Sequence, residues 1–506
     1  MRRGGSVLKQ SVGAPHSPLS LTRRRVITAG LLLGMSLGAL EATVVSTAIP
    51  TVIATLGGLA HYSWVFSAYL LTSTASVPIW GRLSDLYGHR KLYLTGIGVF
   101  VLGSALSGAA GSMTQLIIFR AIQGLGAGAV IPLSMTIIGE LYTLRERAGV
   151  QALFSGVWGV ASIGGPLVGG YITDEFSWRW VFFLNLPLGL VAAAVLALGY
   201  PAEARQPSVR VDWLGAALLF SGVTALLLAL SATSSMLGVW VLATAVMTVA
   251  FVIVERRVEE PILPLALLRN PLVSRSLLVV FLVGTSMFGA IAFVPLFVQE
   301  VLGGTATSAG QALTPLFLGW VATSVLSARL LGHVSYRLTT TVGVALLVVG
   351  YAMLTRLGVD TPRTVLVVAL VVLGCGLGLS LLSLLLAVQH GVERSQLGLA
   401  TSLNQFSRSV GSAFGVAVMG ALMARGLTAV GQAGGPLDAA GRENLAEALR
   451  SVFGAGTAMA AAALVASVFL PRVDFSRGVP QNAGEAMLAA EMANLEPRSE
   501  PEGVAD

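Results

Sequence analysis

Residues 81–91 read GRLSDLYGHRK, a short polar segment between two long apolar runs, and this stretch decides how the chain is organised. The flanking runs, residues 63–83 and 92–111, each have about the 20 residues that a helix needs to cross the hydrocarbon core of a bilayer. Gly81 and Gly88 permit a tight turn, where the charged side chains can exchange partners. The pattern predicts two antiparallel membrane helices joined by a charged turn.

The composition of the whole chain places most of it in lipid. Of its 506 residues, 55% are hydrophobic and 11% are charged, where a soluble domain carries roughly 25% charged residues. The single cysteine, Cys375, excludes an intrachain disulfide, and the five histidines have no metal-ligand spacing. The sequence has no P-loop that could bind nucleotide phosphates, so this chain contains no motif for ATP-driven pumping. The excess of basic residues, 31 against 24 acidic, indicates membrane orientation rather than nucleic-acid binding.

Fourteen apolar runs are candidate membrane spans, which predicts an all-α polytopic membrane protein. The predicted spans are 26–56, 63–83, 92–111, 115–138, 148–172, 180–199, 212–231, 236–254, 273–301, 306–328, 339–356, 363–388, 403–425 and 449–470. If the N-terminus is cytoplasmic, the connections on the cytoplasmic side hold most of the 31 Lys and Arg residues. Because basic residues concentrate on that side, we expect both termini to be cytoplasmic and the protein to lie in the plasma (inner) membrane.

The two ends of the chain lie outside the spans. Residues 1–25 are predicted to form a cytoplasmic N-terminal tail. The apolar run that follows is too long for a signal peptide, so we interpret it as a retained signal anchor. Residues 471–506 are polar and rich in glutamate, and we expect a disordered cytoplasmic tail there.

Few ionisable residues fall within the spans, and each is costly at the centre of a bilayer. Glu41 lies about 24 Å along span 1 from Arg25, and Arg120 lies about 8 Å into span 4 from the opposite side. In a core about 30 Å thick these depths come close, so a buried carboxylate–guanidinium pair is predicted. A carboxylate balanced between desolvation and a neighbouring cation can load and release a proton. A static salt bridge between two helices is the competing interpretation.

Four motifs in register along the chain resemble those of the major facilitator superfamily. Residues 81–91 resemble the family's loop between helices 2 and 3, and residues 120–128, RAIQGLGAG, resemble its helix-4 motif. Residues 164–170, GGPLVGG, resemble the helix-5 motif associated with antiporters. The helix-1 segment around Glu41 and residues 178–189, WRWVFFLNLPLG, resemble the fourteen-helix drug:proton antiporter branch.

The resemblance implies a major facilitator fold with alternating access to a central cavity. Two six-helix bundles, residues 26–199 and 273–470, would be joined by a linker region, residues 200–272, with two additional spans. Glu41 and Arg120 would couple transport to protons. The cytoplasmic gate motif would comprise Gly81, Asp85, Gly88 and Arg90, and the antiporter motif Gly165, Pro166, Gly169 and Gly170. Pro166 also predicts a kink in span 5, because proline removes a helical hydrogen bond.

The sequence departs from the family pattern at several positions. The acid of helix 1 is usually aspartate, and here it is Glu41, which keeps a titratable group on a longer side chain. The second copy of the loop motif, residues 328–337, lacks an acid, so we expect the N-terminal half to carry most of the gating chemistry. Spans 10 to 14 contain no acid, which argues against a substrate specialised as a dication.

A substrate site is expected between the two halves near the middle of the membrane. The candidates by residue type and span are Gln123, Trp158, Asn404, Gln405 and Phe406. The leading interpretation is a non-enzymatic, proton-coupled antiporter that exports small amphipathic or hydrophobic compounds such as drugs, dyes and antibiotics. It would need no cofactor or metal besides the coupling proton, and it would act as a monomer. A dedicated exporter of a lipid, siderophore or other metabolite is the alternative, and a non-transporting membrane sensor is a remote one.

Overall fold

The computed structural model describes residues 20–142, 144–201, 212–231, 234–258, 267–330, 333–392, 396–427 and 439–471. Most of these residues are helical, and we number the α-helices α1 to α15 in chain order. The helices are Leu21–Leu56 (α1), Tyr62–Tyr87 (α2), His89–Gly108 (α3), Met113–Leu141 (α4), Leu144–Glu175 (α5), Trp178–Phe183 (α6), Asn185–Gly199 (α7), Trp213–Ser231 (α8), Ser234–Glu255 (α9), Pro271–Leu296 (α10), Ala306–Leu330 (α11), Tyr336–Leu354 (α12), Arg363–His390 (α13), Leu397–Leu427 (α14) and Ala439–Val468 (α15). The predicted C-terminal tail lies outside the described residues apart from Pro471, and so does the N-terminal tail up to residue 19. Residues 21–25, which were predicted to belong to the N-terminal tail, form the beginning of α1.

Each of the fourteen predicted spans coincides with one of these helices or, for span 6, with the pair α6 and α7. Within the described residues, eleven helical segments are long and apolar enough to cross a membrane. Large apolar side chains, among them Val160, Leu198 and Leu242, are 65% to 84% exposed on the outside of the helices. Such a surface suits lipid rather than water, and the all-α membrane fold is confirmed.

The helices pack as two groups that meet along two seams. In the first group α1 packs on α5 and α7, while α4 packs on α2 and α3. In the second group α10 packs on α14 and α15, while α13 packs on α11 and α12. The seams between the groups are formed by α5 with α11 and by α2 with α14. Helix α8 covers the α2–α14 seam, where Val223 packs near Leu71, Ala413 and Ala417, and α9 packs on α8.

Because successive spans alternate in direction, the bundle has two ends. We call the end at which α1 begins, near Leu21, the near end, and the end at which it stops, at Leu56, the far end. Arg23 Nε donates to the Gly199 carbonyl oxygen at 2.7 Å, which places the end of α7 at the near end as well.

Span 6 corresponds to one apolar segment, Trp178–Gly199, whose helix is interrupted at Leu184. The first part, α6, ends at Phe183, and α7 begins at Asn185. Pro187 explains the break, because a proline has no N–H for the carbonyl of the residue four positions earlier, Phe183, and its ring crowds that carbonyl. The predicted span 6 is nevertheless confirmed, because Trp178–Gly199 together is long and apolar enough to cross a membrane. By contrast, α5 continues as one helix across Pro166.

Two other spans differ from the prediction at their far ends. Helix α10 passes after Pro295 into a π-helical turn, Phe297–Val301. Helix α15 begins at Ala439 instead of residue 449, so Glu443 and Glu447 belong to its exposed far end. Both acids precede residue 449, so the predicted span 14 itself contains no acid.

Candidate functional site

The Glu41 and Arg120 side chains meet between α1 and α4, inside the first group of helices. Arg120 Nη1 donates to Glu41 Oε1 and forms an ion pair with it, and each residue is only 2% exposed. Arg120 Nε also donates to the Val65 carbonyl oxygen at 3.2 Å, and its Cζ lies 4.3 Å from the centre of the Tyr69 ring. These contacts with α2 orient Arg120 independently of Glu41.

Three uncharged side chains join the ion pair in a closed ring of hydrogen bonds. Arg120 Nη1 donates to Gln123 Oε1 at 2.7 Å, and Gln123 Nε2 donates to Ser104 Oγ at 3.1 Å. Asn185 Nδ2 donates to Ser104 Oγ at 2.9 Å and to Glu41 Oε2 at 2.6 Å. We call these five residues the polar ring, and none is more than 2% exposed. The ring connects α1, α3, α4 and the first residue of α7.

The burial of the polar ring decides its chemical character. Removing a carboxylate and a guanidinium from water costs several kcal/mol for each ion, and a buried pair recovers this only with good geometry and further hydrogen bonds. Both oxygens of Glu41 accept hydrogen bonds, one from Arg120 and one from Asn185. Apolar side chains of similar size in place of the ion pair would pack as well, without the free-energy cost of removing charges from water. The arrangement therefore suits a group whose charge changes during function.

A small pocket brings the polar ring to the boundary between the two helix groups. The pocket is lined by Glu41, Phe66, Tyr69, Leu70, Arg120 and Phe288. Phe288 belongs to α10, and the other five residues belong to α1, α2 and α4. With a volume of about 10 Å³ the pocket has room for about one water molecule, and its lining includes residues of both helix groups.

Polar contacts tie the two groups together at the far end. Asp174, near the end of α5, accepts hydrogen bonds from the Ala306 and Thr307 backbone N–H groups at 3.0 and 2.7 Å. Gln299 Nε2 donates to the Thr47 carbonyl oxygen at 2.8 Å, so the π-helical turn is tied to α1. The two groups are therefore in contact at the far end in this structure.

The Asp174 carboxylate caps the first turn of α11 from the other helix group. Partial burial raises its pKa, but the hydrogen bonds from Thr307, Thr305 and Ala306 outweigh that effect, so the pKa lies below its ordinary value. The carboxylate therefore stays ionised at neutral pH and can hold the unpaired N–H groups of the helix terminus.

Replacing Asp174 by alanine should loosen the far end. Loss of a helix cap costs about 1 kcal/mol, roughly a fivefold change in an equilibrium constant, so Asp174→Ala should raise the population with a separated far end by about that factor. A cysteine introduced at Thr51, in a Cys375→Ser background, should then react correspondingly faster with a maleimide. Glu175→Ala, which removes the neighbouring exposed carboxylate, is the matched control. Equal reaction rates for the two variants would show that the Asp174 cap does not hold the far end.

The antiporter motif lies along the sides of α5 that face α1 and α11. A Cβ at Gly165 would overlap the Thr43 side chain, and a Cβ at Gly169 would lie 2.6 Å from the Val44 carbonyl oxygen. Gly170 packs in the same way against Ala306 of α11. The backbone of Pro166 lies against Gly310 of α11, where a Cβ would overlap its carbonyl oxygen. These glycines allow α5 to contact helices of both groups closely.

The gate motif lies at the near end, between α2 and α3. Gly88 has φ +90°, a conformation that favours glycine, and it forms the turn between the two helices. Arg90 Nη2 donates to the Ala197 carbonyl oxygen, so this arginine holds the last turn of α7. A Cβ at Gly81 would meet nothing within 4 Å. The side chain of Asp85, the acid of the motif, lies outside the described residues.

Glu140 also lies at the near end, at the end of α4. Its carboxylate contacts His89 Nδ1 at 3.0 Å and accepts a hydrogen bond from the Tyr200 hydroxyl. The side chains of Arg145 and Arg147, which follow Glu140 closely in the sequence, lie outside the described residues.

The substrate-cavity candidates are distributed among several places. Gln123 belongs to the polar ring and is fully buried, and the Trp158 side chain lies outside the described residues. Asn404 of α14 is buried, with its Nδ2 lacking a hydrogen-bond partner among the described residues. Gln405 is exposed and accepts a hydrogen bond from Arg408 at 2.6 Å, while Phe406 is half-buried. The structure therefore brings Gln123 to Glu41 and Arg120, and it places Asn404, Gln405 and Phe406 on a different helix.

Sequence reasoning missed Ser104, Asn185 and Asp174. Asn185 carried a readable signal, since it is the amide side chain in an otherwise apolar run and costs free energy there unless it is bonded. Ser104 carried none, because serine is common in membrane helices and satisfies itself with a backbone carbonyl. Asp174 was overlooked because it lies just beyond the predicted end of span 5.

Comparison with known proteins agrees with this architecture. The family description Major Facilitator Superfamily matches residues 31–416. "Multidrug transporter protein MdtP" of Bacillus subtilis is 38% identical over 79% of this chain and 76% of its own length. "Multidrug resistance protein 3" of the same organism is 36% identical over 78% of this chain and 79% of its own length.

Solved structures agree at the level of the fold. The crystal structure of a bacterial homologue of the human lysosomal transporter Spinster matches with a TM-score of 0.65 at 15% identity, over 89% of this chain and 97% of that one. The match to the family extends over most of the chain, and the resemblance inferred from the four motifs is confirmed. The chain is a multi-pass membrane protein that belongs to the Major Facilitator Superfamily, a family of transporters rather than enzymes.

Proposed function

We propose that this protein is a proton-coupled antiporter that exports small amphipathic or hydrophobic compounds across the plasma membrane by alternating access. The near end of the bundle faces the cytoplasm and the far end faces outward. The protein acts as a monomer, with the proton as its coupling ion and Glu41 as the group that carries it. Drugs, dyes and antibiotics are the proposed substrates.

One observation carries the proposal: Glu41 lies at a pocket shared by the two helix groups. Its carboxylate is paired with Arg120, and Phe288 of the second group lines the same pocket. A change in the charge of Glu41 therefore alters what Phe288 faces. Since a charge is far more costly than a neutral acid in contact with an apolar side chain, protonation favours a different packing between the groups.

The far-end contacts support alternating access. Asp174 and Gln299 each form a hydrogen bond with a backbone group of the opposite helix group, and the Tyr62 hydroxyl of α2 donates to the Ala292 carbonyl oxygen of α10. The far end opens only when these hydrogen bonds break. Each bond contributes roughly 1 kcal/mol, which is small enough to be broken repeatedly during a transport cycle. The names of the two Bacillus relatives support drugs as the substrate class.

Transport driven by an imposed pH gradient tests the proposal. The full chain is reconstituted into vesicles with an acidic lumen, and accumulation of the lipophilic dye ethidium is followed with the membrane potential clamped. A gradient of two pH units should support roughly 100-fold accumulation if one proton is exchanged per dye, because each unit corresponds to a factor of ten. Collapse of the gradient with nigericin should abolish the accumulation.

The other outcomes favour the alternatives. If no compound in a broad panel of dyes and antibiotics is transported, a dedicated exporter of a lipid, siderophore or other metabolite is favoured. Ligand binding without any transport or proton flux would favour a sensor. Accumulation that persists after the gradient has collapsed would contradict proton coupling.

A further inference from the structure

Asn185 lies at the break between α6 and α7 and also in the polar ring. Residue 184 separates the two helices, and Asn185 is the first residue of α7. Its side chain is 2% exposed, and its amide nitrogen binds both Glu41 Oε2 and Ser104 Oγ. The proton-carrying group of the proposed function is thus directly bonded to a residue at a helix break.

Ser104 connects Asn185 to the other side of the same break. Its hydroxyl donates to the Phe182 carbonyl oxygen at 2.9 Å, and Phe182 lies in the short helix α6. The oxygen of Ser104 accepts from the amides of Gln123 and Asn185. A hydroxyl has one proton to donate and two lone pairs to accept, so the hydrogen-bonding capacity of Ser104 is fully used. A change at any one of these bonds must therefore alter another.

Protonation of Glu41 creates such a change. Glu41 Oε1 faces Arg120, which has donors and no acceptor, so an added proton must reside on Oε2. There it meets the N–H of Asn185, and two donors cannot bond to each other. The amide of Asn185 must turn over so that its Oδ1 accepts from the acid. The Asn185 Oδ1 atom then also faces Ser104. The Ser104 hydroxyl can donate to this oxygen only if it gives up its hydrogen bond to the Phe182 carbonyl oxygen.

We propose that Asn185 is a positioning residue that senses the protonation of Glu41 and transmits it through Ser104 to the α6–α7 break. In the ionised state the Ser104 hydroxyl holds Phe182, and in the protonated state it turns to Asn185. Among the described residues that line the pocket, the titratable groups besides Glu41 are Arg120 and Tyr69 of α2. This inference rests on the proposed proton coupling. It assigns to two uncharged residues, Asn185 and Ser104, the transmission of a change in Glu41 protonation.

The test compares two transport modes of the full chain in vesicles with ethidium as the probe. Gradient-driven accumulation requires that the protonation of Glu41 be transmitted, whereas exchange of dye without a gradient requires only a folded, mobile transporter. Asn185→Leu removes the sensing amide, and Ser104→Ala removes the link to Phe182 while leaving the Asn185–Glu41 bond. Ser107→Ala is the matched control, because Ser107 is a fully buried serine one turn further along α3 whose hydroxyl has no partner among the described residues.

Both Asn185→Leu and Ser104→Ala should lower gradient-driven accumulation about tenfold, the size of a typical coupling between sites, and leave exchange within about twofold. The pH at which accumulation is half-maximal should also move in Asn185→Leu. Ser107→Ala should match the wild type in both modes. If Asn185→Leu fails to fold, Ser104→Ala decides the question, since it is the smaller change and leaves the Asn185–Glu41 hydrogen bond in place.

Two results would overturn the inference without touching the proposed function. The first is normal gradient-driven accumulation in both variants. The second is an equal fall of accumulation and exchange, which would mean that the polar ring is merely structural. If the wild type itself shows no gradient-driven accumulation, both the proposed function and this inference fail.

Discussion

Replacing Glu41 by glutamine should abolish gradient-driven export, reducing accumulation from roughly 100-fold to none under a gradient of two pH units. Glutamine preserves the size of the side chain but cannot exchange a proton. Transport then loses its connection to the gradient, while dye can still equilibrate across the membrane. Accumulation and equilibration in the same reconstituted vesicles measure the two effects separately.

Glu41→Gln also leaves Arg120 without its counter-charge, and an uncompensated buried charge costs about 3 to 5 kcal/mol. The contacts of Arg120 with Val65, Tyr69 and Gln123 remain and offset part of that cost. Two further variants separate loss of fold from loss of coupling. Glu41→Asp retains a titratable group and should restore gradient-driven export, and Glu255→Gln removes a buried carboxylate at the end of α9 and should have no effect. Gradient-driven export by Glu41→Gln at the wild-type level would refute the role of Glu41.

The second large effect is expected from Gly310→Ala at the seam between α5 and α11. A methyl group at position 310 would overlap the carbonyl oxygen of Pro166, a backbone atom that cannot move without shifting α5. Such overpacking costs about 1 to 3 kcal/mol. Because the two helices belong to different groups, this overlap raises the free energy of the conformation in which the far end is closed.

Gly310→Ala should therefore raise the population with an open far end by about 5- to 150-fold, and it should slow transport. The chain has a single cysteine, so a reporter cysteine at Gln299 in a Cys375→Ser background reports accessibility at the far end. Gly164→Ala is the matched control, because a Cβ at Gly164 of the motif-bearing helix α5 would meet nothing within 4 Å. Equal labelling of the reporter in the two variants would show that this seam does not limit closure.

The sequence predicted the fold well because lipid imposes a simple requirement on each span. The apolar runs had to satisfy their backbone groups internally, so their length alone indicated helices. Depth along a helix is likewise a count of residues, and this is why Glu41 and Arg120 could be matched from their positions in the chain alone. Span 6 is interrupted at Leu184 because Pro187 lacks the N–H that the preceding turn of a helix needs.

The remainder of the site depends on how helices are rotated and which helices become neighbours. Ser104 joins the polar ring only because α3 presents that side to α4 and α7, and apolar spans carry little periodicity from which rotation can be inferred. Asp174 acts on a helix more than a hundred residues later in the chain, across the seam between the groups. Such a contact is a property of the assembled bundle, and no local pattern in the sequence encodes it.

The release of protons on substrate binding tests the central claim, that Glu41 is the coupling group, most directly. Purified protein in weakly buffered detergent solution is mixed with ethidium, and the change in pH is read with an indicator dye. The account predicts that the wild type releases protons over the pH range in which it transports, that Glu41→Gln binds the dye without releasing any, and that Glu255→Gln behaves as the wild type. Equal proton release by Glu41→Gln and the wild type would contradict it.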